Sequence, residues 1–369
     1  MFNGLIVAAL AFLPGEVDAP KPATLARTLA FRADVVYRGD GTSIDDGVIL
    51  VKEGVITQVG SGLEIPEGAA IVDHDGAISA GLIALHSEDG AGAELYDSTR
   101  IVLAEAEARH AFAPEHADFD RALAAGITAL VLAPSSSSLI GGQSAVVKTS
   151  GGRVVKPAAQ LALSLSRDAL HTNRFPTSYA GAIEELERRF GEPEGPVARA
   201  ASGSLPVLID VNDRAETLRA IGFAQRFGLK GALYGSYWAE EIAPQIAGSG
   251  LDVICTPFDV GDDSRSARAV VALAKEGVRL GFGLDAPERH PGSLRFGAAA
   301  CVRAGLETAK ARKALTGDAA AIAGVAGRIG RVARGLDADL VLWSGDPVAL
   351  TSSIQAVYVD GELVHGGSK

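Results

Sequence analysis

Ala80-Gly-Leu-Ile-Ala-Leu-His-Ser-Glu-Asp89 is a short apolar run that ends abruptly in polar, titratable residues. Its length and composition suit a strand buried on both faces, as in a parallel sheet covered by helices. Side chains two apart on a strand point the same way, so His86 and Glu88 face one direction where the strand ends.

Outward from this run, up to about Gly330, buried strands alternate with amphipathic helices, the rhythm of a parallel sheet with right-handed crossovers. Strands are predicted at Leu82–Leu85, Ile127–Ala133, Leu161–Leu165, Val207–Val211, Gly231–Tyr234, Val253–Thr256 and Arg279–Gly283. An eighth, needed to close an (α/β)₈ barrel, is sought between Ser144 and Lys156, where Ala145–Lys148 is the candidate. Helices are predicted over Phe119–Ala125, Ser178–Phe190 with Thr177 or Ser178 as cap, Ala215–Phe227 and Ala267–Lys275, with a final set from Leu294 to Val325. Glu192–Ser204, rich in Gly, Pro and Ser, reads as an exposed loop.

Both flanks have a different pattern. Ala33–Tyr37, Gly47–Lys52, Val55–Val59 and Ala70–Asp73 are short alternating strands before the barrel, and Asp339–Trp343, Ala356–Val359 and Glu362–Val364 follow it. Neither set makes a stable sheet alone, so the two ends are expected to meet. The predicted fold class is α/β, a TIM barrel (residues 80–330) inserted into a small β-sandwich built from residues 31–79 and 331–369. Residues 1–30 include the apolar run Leu5–Leu13, which reads as a signal peptide or as an apolar arm packed on the body. A signal would make the protein periplasmic or secreted; an arm would leave it cytoplasmic.

With 369 residues, 47% hydrophobic and 21% charged, the chain can bury a large core. Its 34 basic against 45 acidic residues give a net charge of −11, which repels nucleic acid and anionic membrane surfaces. No run is long enough to span a membrane. The expected partner is a small molecule, with homo-oligomerisation left open. Cys255 and Cys301, in apolar stretches, read as buried free thiols.

A barrel of this kind carries its reactive groups at the C-terminal ends of its strands. Those ends present His86 and Glu88, then Asp210 and Asn212, then Tyr234, and finally Asp285. Lys148 is either a positive group for that cluster or a solvated strand-end lysine.

The strand ending in His86, the tail Gly335-Leu-Asp-Ala-Asp-Leu-Val-Leu-Trp-Ser-Gly-Asp-Pro347, Ala124-Ala-Gly-Ile-Thr128, Leu139-Ile-Gly-Gly-Gln-Ser-Ala-Val-Val-Lys148 and Phe175-Pro-Thr-Ser178 together resemble the amidohydrolase superfamily. The similarity is to its imidazolonepropionase-like branch, and runs from about Ala33 to Val364. The resemblance implies metal-dependent hydrolysis of carbon–nitrogen bonds in cyclic amides or imidazolones. In that family a His-x-His pair ends the first strand, histidines end the fifth and sixth, and an aspartate after the eighth is both ligand and proton shuttle.

Carried over, His86 matches the first histidine and Asp285 the final aspartate, while Glu88, Asp210 and Tyr234 stand where histidines are expected. Two readings follow. In one, the ordinary binuclear centre is lost and the barrel binds a ligand as a pseudoenzyme. In the other, His86, Glu88, Asp210 and Asp285 hold one divalent cation, zinc, manganese or magnesium, with Asp285 as general base. Asn212, Tyr234, Gln143 and His171 are the expected substrate-binding residues, and loops Ser135–Gln143 and Arg167–Thr177 the expected selectors.

Overall fold

The computed structural model describes residues 28–367 apart from 92–94, 96, 98, 236–237 and 259–263. The expected signal segment therefore lies almost wholly outside the described residues. No helix among them is long and apolar enough to cross a membrane.

The strands run β1 (Leu29–Tyr37), β2 (Ser43–Lys52), β3 (Val55–Ser61), β4 (Ala70–Ala80), β5 (Leu82–Ser87), β6 (Ile127–Leu132), β7 (Ile140–Gln143), β8 (Ala145–Lys148), β9 (Val154–Lys156), β10 (Leu161–Ser164), β11 (Val207–Asp210), β12 (Gly231–Tyr234), β13 (Asp252–Cys255), β14 (Leu280–Phe282), β15 (Leu340–Trp343), β16 (Ile354–Val359) and β17 (Glu362–Gly366). Between and after the barrel strands lie α1 (Asp118–Ala124), α2 (Tyr179–Gly191), α3 (Gly195–Ala201), α4 (Arg214–Phe227), α5 (Ala243–Ser249), α6 (Arg265–Lys275), α7 (Gly292–Arg303), α8 (Thr308–Leu315) and α9 (Gly317–Ile322).

The two chain ends meet in one seven-stranded sheet of order β17-β16-β15-β4-β1-β2-β3. Phe31 on β1 and Tyr358 on β16 touch edge to face, 4.8 Å between centroids. In a flat sheet they would stand three strand spacings apart, about 14 Å. The sheet therefore curls until its halves face each other across Phe31, Ile49, Ile56, Ile78, Leu340 and Leu342. At the β2–β3 turn Glu53 and Gly54 both take positive φ, 52° and 76°, as a tight hairpin demands.

Eight staves make up the barrel among the described residues: β5, β6, the β7–β8 segment, and β10 to β14. The ring closes where β5 meets β14, at a parallel bridge between Leu85 and Gly283, with the His86 carbonyl accepting from the backbone N–H of Leu284 and of Asp285 at 3.1 Å. The stave that the sequence reading sought within residues 144–156 is longer and runs the other way. β7 pairs antiparallel with β10 and β8 antiparallel with β6. Only residues 133–139 separate β6 from β7, too few for a parallel crossover, which needs a dozen or more.

That reversal relocates Lys148. It pairs with Ala129 near the start of β6, away from the end that leads toward His86. There it is completely buried, with Nζ 2.7 Å from Asp337, 2.9 Å from Asp339 and in contact with Asp360. Both sequence readings of Lys148 are thereby corrected. It is neither a solvated lysine nor a positive group of the mouth, but the cation that joins the barrel to the curled sheet. Residues 192–204 also depart from the expected loop, since Gly195–Ala201 is a helix with its proline in the first turn, where a missing N–H costs nothing.

Candidate active site at the barrel mouth

His86, Asp210, Tyr234 and Asp285 end β5, β11, β12 and the segment after β14, and the barrel brings all four together. Asp285 Oδ1 is the hub. It lies 2.8 Å from His86 Nδ1 and also accepts the Tyr234 hydroxyl proton. Because Nδ1 faces a carboxylate, it carries the proton of that hydrogen bond. The His86 ring lies flat on Tyr234, with centroids 4.0 Å apart and an interplanar angle of 11°. His86 Nε2 is buried without a hydrogen-bond partner among the described residues, 4.0 Å from Asp210 Oδ1.

The electrostatics follow from this crowding. Burial by itself pushes the His86 imidazole down, but the Asp285 hydrogen bond and the charges of Asp210, Asp285 and Glu88 outweigh it, and the net shift is upward. Burial lifts Asp210 to about 7, opposed by His86 and reinforced by Asp285 and Asp168. Burial, then the Asp285 charge, holds the Tyr234 phenol well above its ordinary value, so it remains a hydrogen-bond donor.

Of the other expected residues, Glu88 sits beside the cluster, its backbone N–H bonded to the Ala286 carbonyl and its charge felt by His86. Asn212 lies at the rim, donating from Nδ2 to Asp168 at 2.9 Å. Gln143 is not brought to the cluster: buried, it donates to the Ala104 carbonyl and accepts from Arg199. It sits mid-stave, where an antiparallel segment does not end at the mouth. His171 Nε2 bonds the Ser137 carbonyl at 2.8 Å, fixing one loop to another.

Two residues escaped the sequence reading. Asp168 places a further carboxylate near Asp210, and its signal was its position just past the end of β10. Glu216, nearly inaccessible in α4, accepts from the backbone N–H of Arg167 and of Asn212 and from the Tyr179 hydroxyl. It ties together the loops that follow β10 and β11. A glutamate in an amphipathic helix carries no mark of that task. A cleft of about 340 Å³, lined in part by Arg100, His110, Pro134, Ser135, Ser138 and Gly141, opens by the 135–143 loop and includes none of the four cluster residues.

Residues 237–364 match the model of the amidohydrolase family. The chain is also similar to the crystal structure of an amidohydrolase from Thermotoga maritima MSB8, with a TM-score of 0.80, 25% identity, and coverage of 92% of this chain and 100% of that one. Together the family match and this likeness support the amidohydrolase superfamily for this chain. Two other solved structures share the fold at lower identity. A Xaa-Pro dipeptidase with bound methionine gives a TM-score of 0.58 at 14% identity, covering 92% of this chain and 100% of that one. An adenosine deaminase from Xanthomonas campestris with bound zinc gives 0.53 at 16%, covering 91% and 92%. No curated protein matches the sequence. The family match covers residues 237–364, while the mouth cluster is assembled mostly from segments before it.

Proposed function

We propose that this amidohydrolase has given up the ordinary two-metal chemistry and uses its barrel mouth to bind a small molecule derived from, or resembling, the cyclic amides and imidazolones of the imidazolonepropionase-like branch. One observation carries the reading: Asp285 Oδ1 already accepts from both His86 Nδ1 and the Tyr234 hydroxyl, so this carboxylate is committed to protein donors. Zinc-type sites rest on neutral imidazoles that leave a lone pair for the ion. Here His86 is the one imidazole of the four-residue cluster, and Tyr234, at a position where the family has a histidine, is a phenol held in its neutral, donating form. Among the described residues no group of three or more His, Cys, Asp and Glu is arranged as a metal cage. The residues therefore do not fit the binuclear centre.

A second reading, one divalent cation held by His86, Glu88, Asp210 and Asp285, draws support from the unpartnered His86 Nε2 facing Asp210. Elemental mass spectrometry on protein purified without chelators separates the two, comparing wild type with a His86→Ala, Asp285→Ala double variant. The proposal expects no stoichiometric metal in either. Stoichiometric metal in the wild type that disappears in the double variant supports the mononuclear reading instead.

A further inference from the structure

The Gly141-Gly142-Gln143 run takes no part in the mouth cluster and has another task. Its strand, β7, has β10 on one edge. On the other edge lies a strap, residues 100–107, paired parallel at Val102 with Ile140 and at Glu107 with Gln143. Three backbone hydrogen bonds seat it: Leu103 N–H to the Ile140 carbonyl at 2.8 Å, Ile140 N–H to the Ile101 carbonyl at 3.1 Å and Gln143 N–H to the Ala106 carbonyl at 2.7 Å. Gln143 Nε2 also donates to the Ala104 carbonyl at 3.1 Å. The Arg100 carbonyl accepts from Ser138 Oγ and from Arg174 Nη1, both at 3.0 Å. Gly142 permits this close approach: its φ is +120°, and a Cβ on it would stand 2.7 Å from the Ala106 carbonyl oxygen.

The strap does not close fully against the barrel wall. Leu132, the last residue of β6, pairs with Ser87, the neighbour of His86. Two residues further on, Pro134 and Ser135 leave the strand at its mouth end. Between them and the strap lies the cleft of about 340 Å³, lined by Leu103, Ala106, Ala108, Ala111, Pro134 and Gly141 as well as Ser135. A side chain at Gly141 would press on this wall, since its Cβ would lie 3.1 Å from both Pro134 Cβ and the Ser135 carbonyl oxygen.

The charged groups around the cleft are already matched. Arg100 Nη2 lies 3.1 Å from Asp97, Arg109 contacts Glu107, and His110 stands 3.8 Å from the same glutamate. An ionised ligand would therefore leave water for an apolar slot whose counter-charges are already engaged, which is costly. The volume lies at the small end of ligand sites, which suits one ring with a short substituent.

We infer that this cleft, built by the Gly-Gly-Gln run and the strap, is a binding site for a neutral, largely apolar ring compound, with the Ser135 hydroxyl as its hydrogen-bonding group. Ser135 Oγ has Ser137 Oγ at 3.0 Å and the Ser137 N–H at 3.4 Å. A hydroxyl donates once and accepts twice, so one position remains for the ligand. The site stands beside the mouth cluster and does not depend on whether that cluster holds a metal.

The test uses full-length protein and three probes that share one ring, benzyl alcohol, benzoate and benzylammonium, titrated at pH 7 and followed by saturation-transfer NMR. Benzyl alcohol is expected to bind saturably, and at least about tenfold more tightly than either ion, because only the ions lose charge hydration on entry. Ala111→Trp and Ser135→Trp fill the cleft from partly exposed positions. Both are expected to abolish benzyl alcohol binding while the thermal unfolding midpoint stays at the wild-type value. Crystals soaked with benzyl alcohol are expected to show the ring against Leu103 and Pro134. The inference is overturned by absence of saturable binding, by tighter binding of either ion, by binding that persists in a folded Trp variant, or by a ring found only elsewhere in the crystal.

Discussion

Replacing Lys148 by Met should cost about 3–5 kcal/mol of stability, the range for breaking a buried ion pair by removing one partner. Methionine keeps most of the apolar stem, so the measured loss belongs to the ammonium. The structure says where the loss falls. Asp337 keeps Arg328 at 3.2 Å and Asp360 keeps Arg153 at 3.1 Å. Among the described residues Asp339, only 3% exposed, keeps only the backbone N–H of Asp360, and its Oδ2 already lacks a partner. The uncompensated charge is thus Asp339, and Lys148→Met combined with Asp339→Asn should recover at least half of the loss. Urea denaturation followed by circular dichroism measures all three variants against wild type. A Lys148→Met cost below about 1 kcal/mol, the value of an exposed pair, would refute the reasoning. So would a double variant no more stable than the single one.

Further expectations follow from the same contacts. Burial lifts Asp339 to about 6 against the Lys148 charge, so the folded state holds this proton more tightly than the unfolded chain. Its contribution to stability is present below the unfolded value and is lost as pH rises through about 6, roughly 1 kcal/mol between pH 5 and 7; Asp339→Asn should flatten that part of a stability–pH profile. Gly231 has φ near +148°, and a Cβ there would stand 1.9 Å from the Val207 carbonyl oxygen, so Gly231→Ala should cost more than about 3 kcal/mol or abolish soluble expression. Burial pushes the Cys255 thiol to about 12 and Cys301 also upward, so neither should react with Ellman's reagent at pH 8 until the protein is unfolded, when two thiols appear. Ser178 caps α2 by accepting from the Gly181 N–H, and Ser178→Ala should lower stability by about 1 kcal/mol in the same denaturation assay.

The barrel strands were legible because each is a short, largely apolar run bounded by turn residues, as Val207–Asp210 and Gly231–Tyr234 illustrate. The direction of the β7–β8 stave was not, since apolar runs look alike in parallel and antiparallel pairing; the seven-residue gap before Ile140 was the available clue. The cluster residues His86, Asp210, Tyr234 and Asp285 could be named because barrel chemistry sits at strand ends. What could not be read was their bonding to each other. Whether Tyr234 points at Asp285 or at a ligand depends on the ring stack with His86, a contact between residues 148 positions apart. Gln143 and Lys148 both lie on the reversed stave, Gln143 in its middle and Lys148 at the end away from the mouth. Glu216 stayed hidden because a buried glutamate and a solvated one share the same helical spacing.

A crystal structure at high resolution, from crystals grown with excess zinc, tests the central claim most directly. The account predicts that Asp285 Oδ1 keeps both His86 Nδ1 and the Tyr234 hydroxyl at hydrogen-bond distance, with no ion among them. An ion at about 2.0–2.2 Å from His86 nitrogen and Asp285 oxygen, with the Tyr234 hydroxyl displaced from Asp285, would contradict it.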